Sequence, residues 1–447
     1  MGQQSIDRLT DEDVQILKRE HGPIRGHTCK VLVLERAGDR PLPTLDQLRR
    51  HVGSRLDHAP RLRQRVAPTP LGLANPVWLD DQQFDIAKQI RPAQTDGPVD
   101  RAELLRIAAR LMSERLDRSG PLWRLDVVER LDEDHMALIW RIHHCMADGN
   151  TCVRLGAAVL WSDQPCDCGP ARDWTATDAP PRMSLLTSGL ADRARGAVGR
   201  VHRSRGNGVP ISESANIVKR ELGWAADVTP LAHRAGSARS VAFAEASLEE
   251  CKRAGKSIDP AITLNDVVLA LVAGGVRTWL ERDQGPARTV RVKVPVSLHS
   301  QDEGDGVANR DSYFFVDLPL AEPDPVKRLL AINRQTAQRK LDHDAETVYR
   351  LGRHSLVAHW AMSPHVFTFS VSNVRGPARE VYVLSARVRE MHSLAEIAQH
   401  HALRVAVISF AGSLFFGLCA DRESVRDLEG LADALEHARD ELLQAAG

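Results

Sequence analysis

Apolar and polar positions alternate along this chain with two periods, and the period separates helices from strands. In AELLRIAARLMSERL (102–116) the apolar residues recur at helical spacing. PLWRLDVVER (121–130) and HMALIWRIHH (135–144) alternate like paired strands, with the polar LDEDH between their apolar runs as the turn. After Trp161 the character shifts. SDQPCDCGPARDWTATDAPPR (162–182) is rich in Pro, Asp and Gly and opens a linker that continues to about Ser237, interrupted by one Arg-rich helical stretch. Further on, TLNDVVLALVAGGVRTWL (263–280) carries a helix start, with Thr263 as cap and Asp266 three residues later. Its continuous apolar run predicts a helix buried on most sides. RTVRVKVPVSL, SYFFVDLPL, HVFTFSVSN, EVYVLSARV and ALRVAVISFAGSLFFGLCAD read as strands, the last folded on a Gly-Ser turn. DLEGLADALEHARDELLQ closes the chain as an amphipathic helix. Helices and strands interleave in both halves, which predicts two α/β domains, 1–165 and 238–447, joined by a linker over 166–237.

Composition narrows the classes. A chain of 447 residues exceeds one ordinary core, and its 43% hydrophobic content is that of a globular protein. No stretch has the apolar length of a membrane span, and the N-terminus lacks the build of a secretory signal, so a cytoplasmic location is expected. Fifty-nine basic residues balance 59 acidic ones, which argues against a dedicated nucleic-acid binder. The seven cysteines are scattered and odd in number, a pattern of reduced thiols rather than a disulfide framework. Cys166 and Cys168 are too few and too close for a zinc site, and no metal is expected.

Candidate chemistry lies in IHHCMADGN (142–150). If 136–144 is a strand, Met136, Leu138, Trp140, Ile142 and His144 share one face, while Ala137, Ile139, Arg141 and His143 share the other. Adjacent histidines on opposite faces do not easily ligate one metal. His144 ends the more apolar face, where an imidazole suits the work of a general base. Asp148 and Gly149 begin a turn into a helix at NTCVRLGAAVLW, Asp holding the turn and Gly permitting a tight backbone. Cys145 diverges from His144 along an extended strand and makes a poor nucleophile–base pair with it. The other His pair, QHHAL (399–403), lacks the Asp-Gly and precedes a strand.

With these residues in place the chain resembles the bacterial wax ester synthase/diacylglycerol acyltransferase family, within the coenzyme A-dependent acyltransferases that include chloramphenicol acetyltransferase and peptide-synthetase condensation domains. Besides His143-His144-x-x-x-Asp148-Gly149, the resemblance rests on Pro121-Leu122-Trp123, on Asn265-Asp266, and on VPVSL (294–298) followed by Asn309 and Leu318-Pro319. Ser372-Asn373-Val374-Arg375-Gly376-Pro377 and SFAGSLFFGLCAD (409–421) complete it. The family usually has Tyr-Asn where this chain has Phe410-Ala411, and Arg where it has His299.

The resemblance implies an α/β fold of two chloramphenicol acetyltransferase-like domains, each a mixed β-sheet with flanking helices, around an active-site tunnel. It implies transfer of a fatty acyl group from acyl-CoA to a diacylglycerol or long-chain alcohol, with His144 as base, His143 beside it, no acyl-enzyme and no cofactor beyond acyl-CoA as co-substrate. Asp148 and Gly149 would be structural. Asn265, Asp266, Ser372 and Asn373 would contact substrate, although Asp266 also fits a helix cap and Ser372-Asn373 a turn. A polyketide or carrier-bound acceptor, or an inert lipid-binding protein, are the alternatives. Trp123 reads as core, and Lys252, Arg253 and Lys256 as a solvated helix face.

Within the linker, residues 182–205 set Met183, Leu186, Leu190, Ala194, Ala197 and Val201 in one stripe, with Arg193, Arg195, Arg200 and Arg203 beside or opposite it and Asp192 as the only acid. That pattern suits a helix resting on a membrane or lipid-droplet surface, so peripheral attachment at the inner membrane or lipid bodies is the expectation.

Overall fold

The computed structural model describes residues 6–95, 97, 99–170, 174–203, 230–284, 290–297, 311–341 and 362–447; at 194–203, 230, 283–284, 297 and 311 it describes the backbone alone. Leu298, His299 and Asn309 of the sequence blocks lie outside these residues.

The first sheet holds six strands, β1 (His27–Glu35), β4 (Ile90–Pro92), β5 (Trp123–Val128), β6 (His135–His143), β11 (Tyr382–Val383) and β12 (Ala386–Ala395), in the order β11-β12-β1-β6-β5-β4. The second holds β7 (Arg239–Ser247), β8 (Val290–Ser297), β9 (Asp311–Leu318), β10 (Phe369–Arg375), β13 (Leu403–Phe410) and β14 (Ser413–Asp421), in the order β7-β14-β13-β10-β8-β9. Both are mixed: β4 runs parallel to β5, and β10 parallel to β8 and β13, while the remaining pairs are antiparallel. A ribbon of β2 (Gln64–Ala67) and β3 (Val77–Asp80) stands apart. The expected two-domain α/β class is the observed one.

Strand parity decides which core each residue joins. On β6, Met136, Leu138, Trp140 and Ile142 share one cluster with Leu48, Val52 and Cys152 of the first domain and with Ile408, Phe410 and Phe415 of the second sheet. Ala137 and Ile139 pack instead against α4 (Arg101–Ser113). That helix starts because Asp100 accepts a hydrogen bond from the Glu103 N–H. It buries Leu104, Ile107, Ala108 and Leu111 at spacings of three and four. Each such large side chain gains on the order of 1.5–3 kcal/mol before entropy is counted.

One expectation needs correction. The boundaries drawn at 165 and 237 follow the chain but not the sheets, because β11 and β12, from the third segment, complete the first sheet. β12 pairs antiparallel with β1 along Thr28–Glu35. An eight-residue register of backbone hydrogen bonds outweighs chain proximity. The crossing brings β12 onto β14, where a Cβ on Gly417 would fall 2.0 Å from the Ser393 carbonyl oxygen, so no side chain fits there. The hairpin inside the last strand run also differs from expectation. Its turn is Ala411-Gly412, both at positive φ (45° and 91°), and Ser413 already belongs to β14.

In the second domain, α8 (Leu264–Gln284) begins where Thr263 and Asp266 form the anticipated capping box. Its residues Val267 to Ala273 are all buried. It packs between α9 (Pro325–Leu341) and the closing helix α10 (Leu428–Ala446).

Candidate active site at the domain junction

β6 ends at His143, and the chain then turns into α5 (Gly149–Val159). The backbone N–H of His143 donates to the Leu122 carbonyl and that of His144 to the Gly26 carbonyl, so the strand end is held from both sides. His144 lies just past the strand end, in the turn, and the two rings have different neighbours: Glu20 beside His143, Arg404 and Asp148 near His144.

His143 is fully buried, and its ring is fixed by two bonds. The Cys145 N–H donates to its Nδ1 at 3.2 Å. An accepting Nδ1 has no proton, so the ring proton sits on Nε2, which donates to Oε2 of Glu20 at 3.3 Å. Glu20 follows α1 (Asp11–Arg19), and the same oxygen accepts from both Nε and Nη2 of Arg118. Burial would raise the Glu20 pKa, but His143 and Arg118 outweigh it and hold the carboxyl below its ordinary range. Glu20 was missed from sequence. A lone glutamate in LKREHG carries no local signal, and only the pairing of β1 with β6 brings it to His143.

His144 is partly exposed, its Nδ1 is buried, and among the described residues that nitrogen has no hydrogen-bond partner. Burial, then the nearby Arg404 charge, push its pKa down to about 4 against an opposing pull from Asp148. Its ring is therefore neutral at physiological pH, the form a general base needs. Arg404, on β13 of the other domain, is a second neighbour that sequence reasoning did not single out.

Asp148 caps α5: its Oδ1 accepts from the Thr151 N–H at 2.6 Å, and the residue is 5% exposed. Gly149 meets the second domain directly. A Cβ there would lie 2.7 Å from a methyl carbon of Val374 on β10, so the Gly of the first motif and the Val of Ser-Asn-Val are mutual packing partners. Two distant sequence blocks meet because one lacks a side chain.

The remaining candidates divide. Ser372 alternates with Val374 on the face turned to α5, whereas Asn373 points to the other face and is exposed. Asp266 is fully buried. Its Oδ2 accepts from Thr263 and from Asn333 Nδ2 (2.9 Å), its Oδ1 from Thr336 Oγ1 (2.6 Å), the last two on α9. A carboxylate so committed holds two helices together, and the substrate-contact reading of Asp266 gives way to this one. Asn265 is partly exposed at the start of α8, and among the described residues no hydrogen bond joins it to either motif histidine. Trp123 is core, its Nε1 donating to the Leu62 carbonyl. His401 is held by the Thr368 and Met362 carbonyls and stacks on Phe367 at 3.8 Å, which gives it structural work.

Beside the motif, an open groove of about 600 Å³ runs between the outer side of α5 (Val153, Ala157) and the Gly376-Pro377 turn, with Arg55 and His58 at its rim. Among the described residues no group of three or more His, Cys, Asp or Glu side chains could hold a metal ion.

Comparison with known proteins identifies the family. Residues 9–268 match the wax ester synthase/diacylglycerol acyltransferase catalytic domain, and 307–443 the C-terminal domain of the same family. The chain is 29% identical over 407 residues to a probable diacylglycerol O-acyltransferase of Mycobacterium tuberculosis (tgs2), covering 87% of this chain and 88% of that one. It is 27% identical to another from that organism (tgs1), covering 97% and 95%. Among solved structures, the wax ester synthase/diacylglycerol acyltransferase of Marinobacter aquaeolei superposes with a TM-score of 0.72 at 21% identity, over 99% of this chain and 100% of that one. The first condensation domain of the CDA synthetase superposes at 0.61 with 14% identity, over 100% and 98%, a likeness of fold. With both of its domain matches and its motif turn packed across the junction, the chain belongs to the wax ester synthase/diacylglycerol acyltransferase family.

Proposed function

We propose that the protein transfers a fatty acyl group from acyl-CoA to the hydroxyl of a diacylglycerol or long-chain alcohol, with His144 as general base. The observation that carries this reading is the placing of His144: neutral, at the junction of the domains, on a turn locked by Asp148 and Gly149. As the acceptor oxygen attacks the thioester carbonyl, its proton passes to the His144 ring. The carbon–sulfur bond then breaks, and the departing thiol, with a pKa of about 8.5, takes the proton back. No covalent acyl-enzyme forms. The transient imidazolium faces Asp148 as favourable charge and Arg404 as opposing charge. His143, bound to Glu20, does not touch the reacting atoms in this scheme; it positions the strand end. Ser372, on the side of β10 that faces α5, and Asn265 contact substrate from the second domain, whereas Asn373 lies on the other face of the strand.

The lipid acceptor and the acylated product of this chemistry are insoluble in water, so the protein works at a membrane or lipid-body surface on the cytoplasmic side. Among the described residues no helix is long and apolar enough to cross a membrane, and the contact we propose is peripheral. The decisive assay incubates purified protein with palmitoyl-CoA and either hexadecanol or a diacylglycerol, and measures free thiol with the lipid product. Release that depends on neither acceptor would reject the reading. Release only with a carrier-bound acceptor would move the protein to a different acyl-transfer reaction.

A further inference from the structure

Among the described residues four large apolar side chains stand exposed, and three of them are Leu71 (86%), Met183 (68%) and Leu190 (53%). Met183 and Leu190 lie on α6 (Arg182–Arg203), and Leu71 tips the short turn 70–72 that this helix touches. We propose that these residues form one docking face for an anionic phospholipid surface, built jointly by the helix and the turn. The inference rests on the acyl-transfer reading and gives it a specific lipid-facing side.

The helix is stapled to the first domain along a line that excludes its apolar stripe. Leu185 packs with Ala67 and Val77 of the ribbon, and Gly189 lies against Ala74, where a Cβ would approach to 2.7 Å. Arg8 makes the staple: its guanidinium bonds Asp192 (2.8 Å), Ser188 Oγ (2.6 Å) and the Leu185 carbonyl (3.0 Å). Residues 185, 188, 189 and 192 therefore face inward. At about 100° per residue, Met183, Leu186 and Leu190 fall roughly on the opposite side. A helix that used its apolar stripe to pack on its own domain would show the reverse.

Charge completes the face. Asp192 is the one acid of the helix, and Arg8 neutralises it. Arg182 and Arg193 are exposed and fall on one flank of the outward stripe. Apolar anchors flanked by unopposed arginines complement a surface of acyl chains under anionic head groups. Leu71, exposed on the turn that touches the helix, adds a further apolar anchor beside it. Its backbone is left-handed (φ 58°), a conformation leucine rarely adopts, and its side chain gains almost nothing from the folded chain. Insertion among acyl chains supplies what the fold does not.

The test is co-sedimentation of the full chain with phosphatidylcholine vesicles, with and without phosphatidylglycerol, at low and high salt. Wild type should bind the phosphatidylglycerol vesicles, and salt should weaken that binding. L71E/L190E should bind at least about tenfold more weakly, with an unchanged melting temperature, since two apolar anchors are lost from positions already in water. Wild type that ignores the vesicles, or a variant that binds as well as wild type, overturns the proposal. So does light scattering that finds wild type a dimer and the variant a monomer with equal vesicle binding, because the face would then belong to a second copy of the chain. Thiol release from a short-chain acyl-CoA with a water-soluble alcohol separates the two inferences. The variant should match wild type there while losing activity on vesicle-borne acceptor. Absent release by both would reject the acyl-transfer reading and leave the vesicle result standing.

Discussion

Replacing His144 by Ala removes the one imidazole of the motif that reaches the domain junction, while the strand end stays held through backbone bonds and His143. Turnover should fall by about a hundred- to ten-thousand-fold at an unchanged melting temperature, the usual share of a general base. Glu20→Ala should behave differently. It removes the acceptor for His143 Nε2 and the carboxylate partner of Arg118, whose Nη2 keeps only the Leu17 carbonyl, so stability falls by about 1.5–3 kcal/mol together with activity. Glu20→Gln, which still offers an oxygen to Nε2, should recover much of both. Denaturation midpoints beside kcat for the three variants check this, and an E20A enzyme as stable as wild type would break the link. The depressed pKa of His144 predicts the pH profile as well. A base that protonates only near pH 4 stays competent through the neutral range, so kcat/KM should be level from about pH 5.5 upward and fall only below it. A limb centred on 6.5 would mean that His144 is solvated as an ordinary histidine. The same shift makes acid costly to the fold. The unfolded chain takes the proton near 6.5 and the folded one only near 4, so this contribution is whole above 6.5 and lost as pH falls toward 4.

At the scale of elements, the β13–β14 hairpin closes on Ala411-Gly412, a turn with both φ values positive. Such two-residue turns favour Asn-Gly, because Asn tolerates the left-handed region better than a residue with a bare Cβ. The family usually carries Asn at this position. Ala411→Asn should therefore raise stability by about 0.5–1 kcal/mol, read as a higher melting temperature with β13–β14 pairing intact. No gain would mean that the hydrogen bond from the Ala411 N–H to the Pro377 carbonyl, rather than turn preference, sets the local conformation. The α6 helix shows the limit of pattern alone at this scale. Its apolar stripe was readable, but the side on which the domain holds it depends on Arg8, far earlier in the chain.

For the whole molecule, the exchange of β11 and β12 into the first sheet makes the halves interdependent. A fragment of residues 1–170 would present β1 as an open edge, its backbone partners on β12 gone. Expressed alone it should aggregate or lack a cooperative melt, whereas the full chain stays dispersed. Gel filtration with thermal melting distinguishes these, and a monomeric, cooperatively melting fragment would show that β12 is dispensable.

The motif turn, the capping box at Thr263 and the strand runs around the motif were legible in the sequence, whereas β1, inside the first sheet, and the break of 380–388 into β11 and β12 were not. Period-two alternation, cap chemistry and turn residues act over a few positions and are written in them. Asp266 shows where that legibility ends. Its capping partner, Thr263, is three residues away and visible, while Asn333 and Thr336, which commit the rest of its carboxylate, are not. Glu20 beside His143, Arg404 beside His144 and Val374 filling the space above Gly149 were likewise invisible, since each contact joins segments more than a hundred residues apart. Local preference decided which residues face which side of a strand or helix. Only the packing of one sheet on another, with β12 threaded between β1 and β14, decided what those faces meet, because burial and electrostatic environment are properties of neighbours in space and not of neighbours in the chain.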